Sequence, residues 1–426
     1  MRSLFTTIRN TTFDLGTENT HLGRLICSRP DCTMTQPVHP VLVFLALATG
    51  GFAIGTTEFA TMTLLPNITD GLGINQSTAS HIISAYALGV VVGAPLITVL
   101  AAKIARKPLL IGLMIVFALG NGLSAIAPDY HWMLLFRFLS GLPHGAYFGL
   151  ASLVAASIVA PHRRTQAVGY VMLGLTMATI IGVPAATWLG AIVSWRWGYW
   201  AVSAMALVCA VLVAIFAPFE HAHSDAHPMR ELTALARPNV WLTLSIGAVG
   251  FGGIFSVYTY LTTTLSQVTG LSDAWIPVVV AVFGIGMTVG NIVVPKFADR
   301  WQMPTAGATL VWSAAALAMF PLAAPYVWAV TLDVFCIGIS VAVAAILQTR
   351  LMDVAGDAQN LAAALNHVAF NAANALGPLL AGMALAMGYG LGSTGIVGVG
   401  LSCGGLVMWA ITYAYDKREA RQLACA

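Results

Sequence analysis

Six ionisable side chains stand inside stretches otherwise built of Ala, Leu, Val, Ile, Gly and Phe: Glu58, His81, Arg137, His144, Asp333 and His367. A charge in hydrocarbon is expensive, so each is a functional candidate by default. Glu58, in G-F-A-I-G-T-T-E-F, precedes Pro66 by eight residues, about 12 Å along a helix. Arg137 follows Trp132 by five residues, about 8 Å from the same end of a helix running the other way. At matched depth the two can pair or exchange partners. A carboxylate that alternates between a desolvated site and a guanidinium neighbour has two proton affinities, as a proton carrier requires. A static ion pair would use the same residues. Asp333 lies 196 residues beyond Arg137 and is a candidate second titrating site. His367, Asn371 and Asn374 recur at i, i+4, i+7 and share one helix face. They offer donors and acceptors for a hydroxyl- or amide-bearing solute, or for bonds between helices. His144 is flanked by Gly141, Gly145 and Gly149, so it faces either a cavity or a tight packing seam.

The elements that must position these residues are long apolar helices. Charged residues are 8% of the 426 and hydrophobic ones 58%, against roughly 25% charged in soluble domains. A bilayer must therefore solvate most of the chain. Backbone groups in lipid need internal partners, so spans are helices or closed barrels, and unalternating apolar runs exclude a barrel. Twelve stretches have the ~20-residue length needed to cross: 41–65, 77–100, 108–127, 132–159, 166–190, 198–218, 239–265, 274–295, 305–324, 326–349, 358–387 and 391–415. Seventeen of the nineteen Lys and Arg residues fall in the tails and even-numbered connections; Arg196 alone lies on the other side and Arg137 within a span. The positive-inside rule then puts both termini in the cytoplasm. The expected fold is an all-α integral membrane bundle of twelve helices. It comprises an N-terminal tail 1–39, a six-helix half 40–218, a linker 219–238, a second half 239–415 and a C-terminal tail 416–426.

The halves carry a repeat. Gly93 precedes Ala102-Lys103 as Gly290 precedes Asp299-Arg300, at an offset of 197. Gly182-Val183-Pro184 is matched by Gly377-Pro378. Two parallel six-helix halves about an axis normal to the membrane place a cavity near the midplane. No metal site is expected. Cys27 and Cys32 lack two of the four ligands of a structural zinc site, and His221, His223 and His227 in the linker fit no strong zinc spacing. The polar stretch before Met34 is not of signal-peptide type, and Met34 is an alternative start.

With these residues on view, the chain resembles the major facilitator superfamily, in its twelve-span drug and sugar efflux branch and nearest the arabinose efflux permease group. The resemblance spans about residues 40–415. It is carried by G-F-A-I-G-T-T-E-F at 51–59, Y-A-L-G-V-V-V-G-A-P at 86–95, R-F-L-S-G-L-P-H-G-A-Y-F-G at 137–149, G-V-P at 182–184, S-W-R-W at 194–197 and F-N-A-A-N-A-L-G-P at 370–378. In that family the loop after the second helix reads Gly, Asp-Arg, Gly-Arg-Lys and forms a cytoplasmic charge latch. Here Ala102 and Lys103 replace Asp-Arg and Ala105 the Gly, while Arg106 and Lys107 fit; the second copy keeps Asp299-Arg300. The resemblance implies that the first half lacks its latch carboxylate. It links Arg137 to proton coupling and Gly182 and Pro184 to the antiporter motif, with Val183 inserted as in the sugar-efflux group.

The resemblance further implies proton-coupled export of a small organic solute, a sugar or an amphiphilic drug, by rocking of the halves. It implies no cofactor, the proton gradient supplying the energy. Expected partners are lipid, solute and protons, not nucleic acid, for a monomer in a bacterial inner membrane. A uniporter or importer of the same fold and a non-transporting receptor remain open. The chain has no H-E-x-x-H, G-x-S-x-G or phosphate loop of an enzyme or ATP-driven pump.

Overall fold

Each rod is a helix because its apolar run leaves the backbone no partner but itself. The computed structural model describes residues 39–74, 76–219, 228–272 and 274–425. The readings at Cys27, Cys32, Met34, His221, His223 and His227 lie outside them. The rods are α1 (Pro40–Thr63), α2 (Gln76–Leu100), α3 (Arg106–Ala125) and α4 (Tyr130–Ser157). Next come α5 (Arg164–Met177, a π turn Ala178–Gly182, then Val183–Ile192) and α6 (Trp195–Phe216). After the linker, α7 runs Pro238–Ser245, a π turn Ile246–Gly250, Gly252–Tyr258 and Leu261–Gln267. Then follow α8 (Ile276–Ala298), α9 (Gln302–Ala323) and α10 (Val327–Ile339, a 3-10 turn Ser340–Ala342, Val343–Val354). The last are α11 (Gln359–Ala386) and α12 (Ser393–Cys425).

Eleven of these rods are long and apolar enough to cross a membrane. The other is α4, whose 28 residues are long enough but more polar. From Ser140 to Ala156 it is buried almost all round. A rod enclosed by protein does not need a lipid-facing apolar surface. The helical run of α12 passes the expected end at 415, because Lys, Arg, Glu, Ala, Gln and Leu are good helix formers. The α5 π turn has a local cause. Pro184 has no N–H for the usual bond four residues back, and the Val183 N–H reaches Ala178 O instead.

The same pairings occur twice. α2 packs on α4, α3 on α6 and α1 on α5; likewise α8 packs on α10, α9 on α12 and α7 on α11. Across the middle, α5 meets α8 and α10, and α11 meets α2 and α4. At the α2–α4 crossing, a Cβ on Gly89 would strike the Phe138 carbonyl and one on Gly141 the Tyr86 carbonyl. At the α8–α10 crossing, Gly286 meets the Phe335 carbonyl and Gly338 the Phe283 carbonyl in the same way. All four positions recur at the 197-residue offset read from Gly93 and Gly290. Small residues here let two backbones touch where lipid supplies no hydrophobic drive.

Candidate functional site

A cavity of about 50 Å³ lies between the six-helix sets. Its polar lining is Glu58, His144, Asn291, His367 and Asn371, and Phe59, Phe251, Phe255 and Phe370 supply aromatic walls. The volume admits a few waters, well short of the several hundred Å³ that encloses a drug-sized ligand.

Glu58 is half-buried and makes no hydrogen bond or ion pair among the described residues. Arg137 is 1% exposed and turned elsewhere. Its Nη1 donates to Thr57 Oγ1 at 3.0 Å and to Ser140 Oγ at 3.4 Å. The guanidinium lies over the Tyr86 ring at 4.3 Å and near that of Tyr199 at 5.4 Å. Thr57 in turn donates to Asn121 Oδ1 at 2.7 Å. The direct Glu58–Arg137 pair that matched depth allowed is therefore absent among the described contacts. The reason is helical: neighbours on α1 point about 100° apart, so Thr57 faces Arg137 while Glu58 faces the cavity.

From Tyr86 a hydrogen-bonded chain crosses to the other set. Tyr86 OH lies 3.0 Å from His144 Nδ1, and His144 Nε2 lies 3.3 Å from His367 Nδ1. Phe148 stacks on His367 with centroids 4.3 Å apart. Among the described residues His367 Nε2 has no partner. If Tyr86 donates, every bond runs forward and Nε2 is a donor; if the bonds reverse, Nε2 is an acceptor. The free nitrogen of a cavity-lining ring can thus serve a solute either way. Asn291, 1% exposed, leaves both amide atoms unpartnered in the same lining.

Other candidates fall away from the cavity. Asn371 lines it but spends its amide on the His367 carbonyl at 2.9 Å, and Asn374 lies outside the lining. Asp333 is buried in α10 with Oδ2 unpartnered, also outside. His81, exposed, meets Tyr130 OH at 2.7 Å. Gly145 and Gly149 press on Ala364, so the glycine face of α4 is a seam against α2 and α11. Gly182 abuts Thr56, Gly377 abuts the Gly252 carbonyl, and the Pro378 carbonyl accepts from Tyr260 OH at 3.2 Å. Pro184 follows the π turn.

At the end carrying the basic connections, Lys103 is exposed and Lys107 Nζ donates to Ala217 O at 2.8 Å. Arg300 lies over Trp301 at 4.7 Å. Asp299 accepts from Thr165 N at 2.7 Å, Gln166 N at 3.2 Å and Gln166 Nε2 at 2.8 Å, and Arg164 meets Asp353 at 3.4 Å. Both contacts join the halves and close this end.

Type and spacing do not mark Tyr86, Thr57, Phe148 or Glu231 as site residues. Asn291 is a polar amide within a span, a signal of the same kind as the buried ionisable residues. Tyr86 and Thr57 sit in the quoted strings without a signal of their own.

The chain matches the model of the Major Facilitator Superfamily over residues 47–378. It is 39% identical to the inner membrane transport protein YdhP of Escherichia coli strain K12, over 83% of this chain and 91% of that one. It is 33% identical to a chloramphenicol resistance protein of Streptomyces lividans, over 89% and 96%. The human organic anion transporter MFSD10 (TETRAN) shares the fold alone, at 14% identity and a TM-score of 0.67, over 87% of this chain and 98% of that one. Twinned helix pairings, a polar cavity between the sets and this match agree: the chain belongs to the major facilitator superfamily and is a multi-pass membrane transporter, not an enzyme.

Proposed function

We propose that this transporter exports a compact amphipathic solute in exchange for protons, by alternating access. One observation carries the reading: Glu58 is a carboxylate with no hydrogen-bond or ion-pair partner among the described residues, in a cavity between the halves, one residue from the Thr57 that holds Arg137. Such a carboxylate can bind a proton or a solute group in turn. Phe59, Phe251, Phe255 and Phe370 suit an aromatic or alkyl face, and Asn291 and His367 suit a hydrogen-bonding end. The resistance protein's name supports export of a drug-like molecule. Charge bias directs the basic connections and both described ends of the bundle to the cytoplasm of a bacterial inner membrane. Contacts of Asp299 with α5 and of Arg164 with Asp353 hold the halves together on that side, and the small cavity must widen to load.

A proton moving down 100 mV supplies about 2.3 kcal/mol, enough for roughly 50-fold accumulation. The test is flux from proteoliposomes loaded with radiolabelled chloramphenicol or arabinose, with and without a pH gradient. Gradient-driven efflux is expected for one probe. Glu58→Gln should abolish the drive, and whatever solute counterflow persists should be independent of pH. Gradient-independent flux would instead identify a uniporter, and binding without counterflow a receptor.

A further inference from the structure

The loop between α8 and α9 and the loop between α2 and α3 are copies, but only one has its acid. Asp299 caps the N-terminus of α5, accepting from two backbone N–H groups and the Gln166 side-chain amide. Its counterpart 197 residues earlier is Ala102, whose methyl reaches nothing comparable. Where that carboxylate would stand there is a void of about 20 Å³, lined by Thr98, Ala101, Ala102, Arg106 and Asn360. Asn360 and Leu361 open α11, the counterpart of α5.

The α11 N-terminus is nevertheless capped. Glu231, at the end of the short linker helix Pro228–Glu231, accepts from Leu361 N at 3.0 Å and from Asn360 Nδ2 at 2.6 Å. Leu361 is the third residue of its helix, as Gln166 is of Arg164–Met177. In both places backbone N–H and side-chain amide donors meet one carboxylate, with two backbone donors at Asp299 and one at Glu231. Glu231 is only 6% exposed. An acid at a helix N-terminus also meets the positive end of the helix dipole.

We infer that the inter-half linker supplies, through Glu231, the carboxylate that the α2–α3 loop lacks, and so acts as the second latch closing the basic end of the transporter. The two latches differ in kind. Asp299 ties one half to the other directly. Glu231 ties α11 to the covalent strap between the halves, so the strap must let go of α11 when that end opens. The inference rests on the rocking of the halves and not on proton coupling, and its test reads their separation without a solute.

The six native cysteines are replaced and spin labels placed at Ala160→Cys and Arg418→Cys, exposed positions on opposite halves at the basic end. Distances are measured by pulsed electron resonance in lipid nanodiscs. Asp299→Ala is the benchmark and should populate a longer separation. Glu231→Ala should raise the long-distance fraction about tenfold, the factor lost with its two hydrogen bonds to α11. Glu231→Gln keeps one acceptor and should fall between; it also carries the test if the alanine variant fails to fold. The decisive arm is Ala102→Asp in the Glu231→Ala background, which should fill the void beside Asn360 and restore the short separation. If Asp299→Ala opens the molecule and neither Glu231 variant does, or if Ala102→Asp gives no rescue, the linker latch is overturned. If no variant opens it, the rocking of the halves is withdrawn with it.

Discussion

Arg137 has no carboxylate within ion-pair distance among the described residues, yet it is the largest fully buried side chain. Two hydroxyls and two aromatic faces hold the guanidinium in place. Among the described residues Glu58 makes no direct bond to it of the kind a static Glu–Arg pair would have. Asn291 makes the same point more sharply. A buried amide with no partner costs about 1–3 kcal/mol. A chain tolerates that where a ligand completes the bonds. Asn291→Leu should therefore raise the melting temperature in detergent while cutting solute counterflow at least about tenfold, for want of the hydrogen bonds worth up to that cost. A lowered melting temperature with unimpaired counterflow would remove Asn291 from solute binding.

At the level of the helices, glycine decides where rods cross. Gly89 and Gly286 occupy equivalent points, each against a carbonyl of the partner helix. An added methyl must push two backbones apart, and overpacking of this kind costs about 1–3 kcal/mol. Gly89→Ala and Gly286→Ala should each lower the melting temperature, by similar amounts because the contacts are copies. Gly112 and Gly400, with open space where a Cβ would go, are the controls and should tolerate Ala. Equal effects at all four positions would show that helix crossing is not what the glycines serve. The repeat itself was legible in Gly93 and Gly290. The backbone contact behind it was not, because spacing along one helix does not name the helix it meets.

For the whole molecule, closure of the basic end is linked to pH through Glu231. Burial raises its carboxyl above the usual 4.5, outweighing the Leu361 N–H, the Asn360 amide and the field of Arg106, which lower it. Release into water would return the group to its ordinary value. The closed form then holds the proton more tightly, so acid favours closure. The effect is full below 4.5 and is lost as pH rises through the raised value. The Ala160–Arg418 label separation should shorten as pH falls through that window, and Glu231→Gln should flatten the response. A separation that lengthens with acid would contradict the sign.

The sequence alone determined the class of solvent and the element type. An 8% charged chain with long apolar runs has only helices available in lipid, and its basic residues sort those helices by side. Family, repeat and the cavity residues Glu58, His144, His367 and Asn371 could be read from type and spacing. Only the tertiary structure decided which of them meet. It turned Arg137 from Glu58 to Thr57, joined His144 to His367 across the halves, and left Asn374 and Asp333 outside the cavity. It also brought Glu231 from the linker to α11, 130 residues on. Depth along a rod follows from counting residues; the direction of a side chain follows from how the rod is rotated, which its neighbours fix by packing.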